Sequence, residues 1–343
     1  MISVPIMDKS SSPTNNNNTK GNCDNVSCSV SGKHCDSSMI KEKSDKITKN
    51  GSTKSKVKSD LETGLKYREK IDTLRDRFST EYSAHPELYD EIDFRKVMDK
   101  DFWVTRFMAD PNESIDDTFE KLRSTMEWRK SFGVNHFDPL SIPKEIYQVS
   151  ALIPYEVDKQ GRPTLYIRGK IHRKIDQLED KIKHYLVNMI ETIDSVREER
   201  ESWLIILDAS DANFFNTDLD MIMFLFSTLR TRYPRGVGQC LLYGLPWLLG
   251  AFANMVISFL PSDSVAKIKF GGKKELLELI DENNLPDWLG GSCKVNYRRV
   301  PRSAVSCYDM AETEFKLTKQ EVDKIIKPFT QYIMPELCVE IDP

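Results

Sequence analysis

From Gly236 to Ser262 the chain runs for 27 residues without one charged side chain. In a chain that is 30% Asp, Glu, Lys and Arg, so long an uncharged run must be hidden from water, in a bilayer or in a folded interior. A membrane-spanning helix needs about 20 consecutive apolar residues to cross roughly 30 Å of hydrocarbon. Gly244 and Pro246 interrupt this run in its middle, and a proline inside a helix costs about 3 kcal/mol. The stretch beyond Pro246, Trp247–Leu260, reaches only about 21 Å at ~1.5 Å per residue before Pro261 stops it. The run therefore reads as a buried strand, a proline turn and a short helix. That helix is apolar on every side, whereas a surface helix shows one apolar stripe. It is either wholly buried, or it has one face on a core and one on another greasy surface.

The flanking sequence alternates between two periodicities. Ser150–Val157, Arg162–Gly169, Trp203–Asp208, Val237–Gly244 and Ala266–Phe270 are short, apolar and bounded by turn residues, which predicts strands. Between them, Ile175, Leu178, Ile182, Tyr185, Met189, Ile193 and Val196 form a helical stripe. A capping box at Thr217 and Asp220 opens a second helix, whose Leu219, Ile222, Phe226 and Leu229 face inward. The alternation predicts an α/β sheet covered by helices. Ahead of it, residues 60–135 read as a small helical unit. Tyr67, Ile71, Leu74 and Phe78 recur at helical spacing there, and Ser114 caps a helix with Asp117 three residues on. Residues 145–300 are expected to form the main domain and 301–343 a C-terminal extension with one helix, capped by Thr318 and Glu321.

Residues 1–58 are rich in Ser, Asn, Lys and Gly, including Asn15–Asn18, and are expected to be a disordered tail. Residues 1–60 carry a net charge of +4 and the remainder −8, against −4 for the whole chain. That gives no pull toward nucleic acid. The basic excess reads as a solvated tail, with contact to an anionic surface as the alternative. Seven Cys without dense even spacing fit a reducing, cytoplasmic compartment. Cys23, Cys28, His34 and Cys35 are too loosely spaced to suggest a zinc site, so no metal is expected. Met1–Ser10 lacks the charged and apolar regions of a secretory signal.

Catalysis finds little support. Asp208 ends a predicted strand, but a phosphatase-type nucleophile wants a second Asp two residues on, where Ser210 stands. Gly236-Val237-Gly238 precedes a strand, the wrong context for a dinucleotide loop. The five His are scattered and no nucleophile elbow is present. No enzyme, no catalytic residue and no cofactor are expected.

Several motifs, in order, resemble the CRAL-TRIO lipid-binding family over about residues 65–293. They are Trp103-x-x-Arg106-Phe107, then Trp128-Arg129 and Gly133, and Asp158-Lys-Gln-Gly161-Arg162-Pro163 leading into a strand. Leu207-Asp208 at a strand end, Tyr233-Pro234, Gly244-Leu245-Pro246 and Lys267-Ile268 come next. Asn284-Leu285-Pro286 with Gly290-Gly291 completes the series. Within the family, Leu245-Pro246-Trp247-Leu248 and Phe259–Pro261 resemble the lipid-binding domain of motile sperm domain-containing proteins.

The resemblance implies a sheet-floored pocket for one hydrophobic lipid, with a phospholipid as the leading class, closed by the helix at Trp247–Leu260 acting as a gate. The implied pocket residues are Tyr166, Trp203, Ile205 and Leu207 on the sheet. On the gate they are Leu248, Phe252, Met255, Val256 and Phe259. Phosphatidylinositol carriers of the family use a Lys on the last strand with a Glu after Tyr-Pro. Lys267 matches the Lys, but Arg235 stands where the Glu would be. Other members present hydroxyl groups where Trp203 and Ile205 stand. Lys267 and Arg235 are thus the headgroup candidates, better suited to an anionic group than a neutral one. The implied function is to carry the lipid between membranes or present it at them, from the cytoplasm and by transient peripheral contact. The competing expectation is a non-catalytic scaffold that keeps the fold but binds proteins.

Overall fold

The computed structural model describes residues 51–108, 113–196 and 202–342. The chain divides at Lys70 into a short unit, Met7–Glu69, and a large one that continues to Pro343. The first helix, α1, spans Gly51–Ala84. Most of the expected disordered tail, including Cys23, Cys28, His34 and Cys35, lies outside the described residues. The described part of the tail begins at Gly51, the first residue of α1.

Within the large unit, α1 is followed by α2 (Glu91–Asp99), α3 (Asp101–Thr105) and α4 (Ile115–Phe132). The Ser114 hydroxyl accepts the Asp117 amide at 3.0 Å and opens α4. Gly133 closes it in the left-handed conformation, at φ 75°, that other residues avoid. Ile71, Leu74, Phe78, Val97, Phe107 and Met126 are buried together as the core of this helical layer. A short helix, α5 (Lys144–Gln148), leads to the sheet.

The sheet has five strands in sequence order: β1 (Leu152–Val157), β2 (Pro163–Arg168), β3 (Trp203–Asp208), β4 (Val237–Tyr243) and β5 (Ile268–Gly271). β1 is antiparallel to β2 and the rest are parallel. Parallel pairing demands crossover connections. These are α6 (Glu179–Val196) between β2 and β3, and α7 (Leu219–Thr231) between β3 and β4. The cap of α7 is Asp218, whose carboxylate accepts the Met221 amide at 3.1 Å, and not Thr217 as the sequence suggested. The Thr217 hydroxyl instead donates to the Phe214 carbonyl. Between β4 and β5 lie a single turn at Trp247–Leu249, α8 (Gly250–Ser258) and α9 (Ser262–Val265). After β5 come α10 (Lys273–Leu279), β6 (Arg299–Pro301), α11 (Cys307–Met310), α12 (Lys319–Ile326) and β7 (Val339–Ile341). β7 pairs with β6 in a separate two-stranded sheet.

Register sorts the strand residues onto two faces. Leu165, Ile205, Cys240 and Ile268 stand in one row across β2 to β5, and side chains alternate along each strand. The face carrying this row packs on Tyr185, Leu186 and Met189 of α6 and Leu229 of α7. The reverse face carries Tyr166, Leu204, Ile206 and Leu241 against Leu276, Ile280 and Leu285. Both faces are covered, which is why Trp203–Leu207 reads as an unbroken apolar run.

Candidate functional site

On the α6 and α7 side of the sheet the packing stops short and leaves a cavity of about 270 Å³. Its floor is Ile167, Leu207, Cys240, Leu242 and Ile268, all on one face of the sheet by register. Ile182, Tyr185 and Leu186 of α6, and Met221, Ile222 and Leu225 of α7, form the sides. Phe252, Ala253, Val256 and Ile257 of α8 cover it, with Leu249 and Leu260 at either end of that helix.

The few charged residues that reach the lining are already engaged. The Glu145 carboxylate accepts the Ser306 hydroxyl and, at 2.9 Å, the Cys307 amide. His172 Nε2 lies 2.9 Å from the Asp218 carboxylate. Burial opposes the charge on Asp218, but the Met221 amide and His172 bring its pKa below the usual range. The Arg173 guanidinium lies over the Phe215 ring. Arg168 alternates to the reverse face, where its guanidinium stacks on Trp288 at 4.7 Å, and burial lowers its pKa. Burial pushes the Cys240 thiol up to about 12, so it behaves as a small apolar side chain rather than a nucleophile. The interior thus suits hydrocarbon, and any charged group of a ligand has to sit at the edge.

Of the residues singled out in the sequence, Leu207, Phe252 and Val256 line this cavity. Trp203 and Ile205 share the floor's face but are buried in the solid core beneath α6 and α7, and do not reach the space. Tyr166 is on the wrong face: it packs on Trp288 and Leu276, because one step along a strand reverses the side chain. Leu248 is not a lining residue, but packs against Ala209 and Ala212, which are. Met255 and Phe259 point outward, at 39% and 56% exposure.

Neither headgroup candidate faces the cavity. Arg235 is exposed where the chain turns into β4, in the left-handed conformation at φ 59°, and donates to the Thr105 carbonyl of the helical layer. Lys267 is half-buried and precedes Ile268, which takes the lining position. The α-helix expected over Trp247–Leu260 spans only Gly250–Ser258, entered through a single turn at Trp247–Leu249 and left through a turn at Phe259 and Leu260.

Sequence reasoning missed two contributors. The inner face of α7 was legible as a stripe, though not as part of a lining. Ile325, Ile326, Phe329 and Ile333, in the C-terminal extension, also reach the cavity. Their only sequence signal is the apolar side of the helix that Thr318 caps.

A family model described as the CRAL/TRIO domain matches residues 148–291, the segment that supplies the floor, sides and cover of the cavity. The chain contains a CRAL/TRIO domain. A CRAL-TRIO domain-containing protein of Schizosaccharomyces pombe is 23% identical over 203 residues, covering 56% of this chain and 46% of the relative. Phosphatidylinositol transfer protein CSR1 of Eremothecium gossypii is 25% identical over 236 residues, 62% of this chain and 54% of the relative. The chain spans about half the length of these two relatives. The crystal structure of Sfh5 superimposes with a TM-score of 0.53 at 14% identity, over 77% of this chain and 97% of that one, a likeness of fold. The CRAL/TRIO domain here lies between a helical layer before it and an extension after it that also reaches the cavity.

Proposed function

We propose that this protein binds one hydrophobic lipid, with its hydrocarbon in the cavity over the sheet, and carries it between membranes or presents it at them. The observation that carries this reading is the pairing of an apolar cavity with an uncharged helix that covers it. α8 turns Phe252, Ala253, Val256 and Ile257 inward, while Ala251, Asn254 and Met255 are exposed. Exposing acyl chains costs about 0.8 kcal/mol per methylene, so a two-chain lipid of roughly 30 methylenes would lose on the order of 20 kcal/mol in water. A carrier has to enclose the chains in transit and open only at a membrane, which requires a movable apolar cover. Pro246 and Pro261 bound α8 and favour its movement as one body. The CSR1 relative bears the name of a phosphatidylinositol transfer protein, which favours a phospholipid. Its headgroup would lie at the cavity's edge.

The membrane-facing surface is proposed at the start of this cover. Trp247 is 91% exposed, Phe215 75% and Phe214 66%. Ala212 and Leu249, two residues away from Phe214 and Trp247 respectively, pack in one buried cluster. Exposed aromatics in such a group are suited to the interface of a bilayer. No helix among the described residues is long and apolar enough to cross a membrane, and peripheral contact from the cytoplasm is the mode proposed. The role is that of a carrier and not an enzyme. Leu245-Pro246-Trp247-Leu248 and Phe259–Pro261 also support a particular closeness to the lipid-binding domain of motile sperm domain-containing proteins.

Native mass spectrometry of protein purified from cells, followed by lipid extraction, tests the reading. Stoichiometric lipid is expected. Lipid-free protein that also fails to move phospholipid between liposomes would leave a protein-binding scaffold as the better account.

A further inference from the structure

One wall of the cavity comes from outside the segment that matches the CRAL/TRIO domain. The matched residues end at 291, yet Ile325 and Ile326 of α12, and Phe329 and Ile333 just after it, line the space. These side chains are held from both directions. Thr318 and Glu321 cap α12 reciprocally, each side chain bonding to the other's backbone amide. Val322, Met310 and Phe315 pack on Leu178 beside the start of α6, and Lys181 pairs with Glu314 at 2.7 Å. Further on, the Tyr332 ring lies 5.8 Å from the Arg168 guanidinium. The chain end is tied down by β7, where the Arg302 amide donates to the Ile341 carbonyl at 2.7 Å.

We propose that this C-terminal strap, Lys319–Ile333, determines which hydrophobic ligand the cavity accepts, with Phe329 and Ile333 limiting the length of chain it can hold. The inference rests on the lipid-binding reading above. The floor residues are fixed by strand register and packed on both sides, so their volume cannot change without cost to the sheet. Phe329 and Ile333 are half-buried and stand on a single turn and an irregular stretch. Side-chain size there alters the cavity at small cost to the fold. One methylene buried is worth about 0.8 kcal/mol, roughly a fourfold preference. A wall that moves by one methylene therefore re-ranks ligands of different length.

The test uses the full chain and a homologous series of straight-chain fatty alcohols, which displace Nile red from the cavity. Phe329→Ala is expected to move the optimum toward longer alcohols, with a gain of about fourfold for each methylene newly accommodated. Phe329→Trp is expected to move it toward shorter ones. Lys324→Ala, on the exposed side of α12, is expected to keep the wild-type ranking. Circular dichroism checks folding, and Ile333→Val reads the same wall with a smaller change if Phe329→Ala does not fold. Folded variants that keep the wild-type ranking overturn the proposal and leave the lipid reading standing. Wild-type protein that takes up neither Nile red nor any alcohol overturns both.

Discussion

The guanidinium of Arg129 on α4 meets the carboxylate of Glu191 on α6 at 2.7 Å, and this pair joins the helical layer to the domain that holds the cavity. Arg129 also reaches Asp93 at 2.9 Å, and the Tyr233 hydroxyl donates to Glu191 at 2.6 Å. Burial alone would raise the pKa of Glu191, but Arg129 overcomes it and holds the carboxyl down to about 2. A carboxylate depressed in the folded state contributes stability that is present above its unfolded pKa and is lost as pH falls through the folded one. The contribution should therefore disappear between about pH 4.5 and pH 2, and on the order of 3 kcal/mol is at stake. Urea unfolding across that window should show Glu191→Gln less pH-dependent than wild type. At neutral pH the same variant should be less stable, because Arg129 loses a buried partner. Parallel pH profiles for the two proteins would remove the pair from this role.

Lys267 and Ile268 make a second test. Lys267 is a headgroup candidate because it matches the Lys that phosphatidylinositol carriers of the resembled family place on the last strand. Register shows that Ile268 stands in the row with Cys240 and Ile205, on the cavity's face. Ile268→Glu should abolish lipid binding, since an unpaired carboxylate in an apolar space costs several kcal/mol. Lys267→Ala should bind as wild type. Both can be read by extraction of co-purifying lipid, and the reverse ranking would mean that the ligand's charged end reaches under the sheet.

A third prediction concerns the double glycine that closes the matched domain. A Cβ added at Gly291 would lie 2.0 Å from the Leu285 carbonyl oxygen, a backbone atom that cannot swing away. Gly291→Ala should lower stability by well over the ~0.5 kcal/mol that bounds an ordinary surface change. Gly250→Ala, which meets nothing within 4 Å, should leave the midpoint unchanged or raise it slightly. Equal midpoints in calorimetry would refute the close approach.

The sheet was legible because Trp203–Leu207 is an unbroken apolar run and Val237–Leu242 is mostly apolar, each with turn residues at either end, and burial on both faces produces that signature. The same double burial made the cavity residues hard to choose. When both faces are apolar, hydropathy cannot tell Tyr166 from Ile167, and only the register does. Leu207, Phe252 and Val256 line the cavity, whereas Met255 and Phe259, read alongside them, point outward, because a helix apolar all round gives no stripe to orient it. Arg235 and Lys267 were chosen by resemblance to the headgroup positions of family phosphatidylinositol carriers, but position at a turn and along a strand decided where their side chains went. Phe329 and Ile333 lie beyond the helix that Thr318 caps, so its apolar side hinted at them only faintly, and their place at the cavity follows from tertiary packing.

The gate mechanism makes separable demands on the two sides of α8. Val256 is 6% exposed and lines the cavity, so it bears on ligand and fold together. Val256→Asp places a carboxylate among Phe252, Leu249 and the floor, and should destabilise the protein by several kcal/mol and empty the cavity. Phe259 and Trp247 are on the outside, where a charge costs the fold little. Phe259→Asp and Trp247→Glu should therefore keep the thermal midpoint and retain bound lipid, yet move it between liposomes slowly, because the outer face can no longer enter the interface. Phe259→Leu, nearly conserved in volume and polarity, should transfer at close to the wild-type rate. Binding is read by native mass spectrometry, and movement by transfer of a fluorescent phospholipid between donor and acceptor vesicles. The informative outcome is the dissociation of the two: lipid retained but not delivered. If Phe259→Asp and Trp247→Glu hold lipid and also transfer it at the wild-type rate, α8 covers the cavity without being the element that meets the membrane.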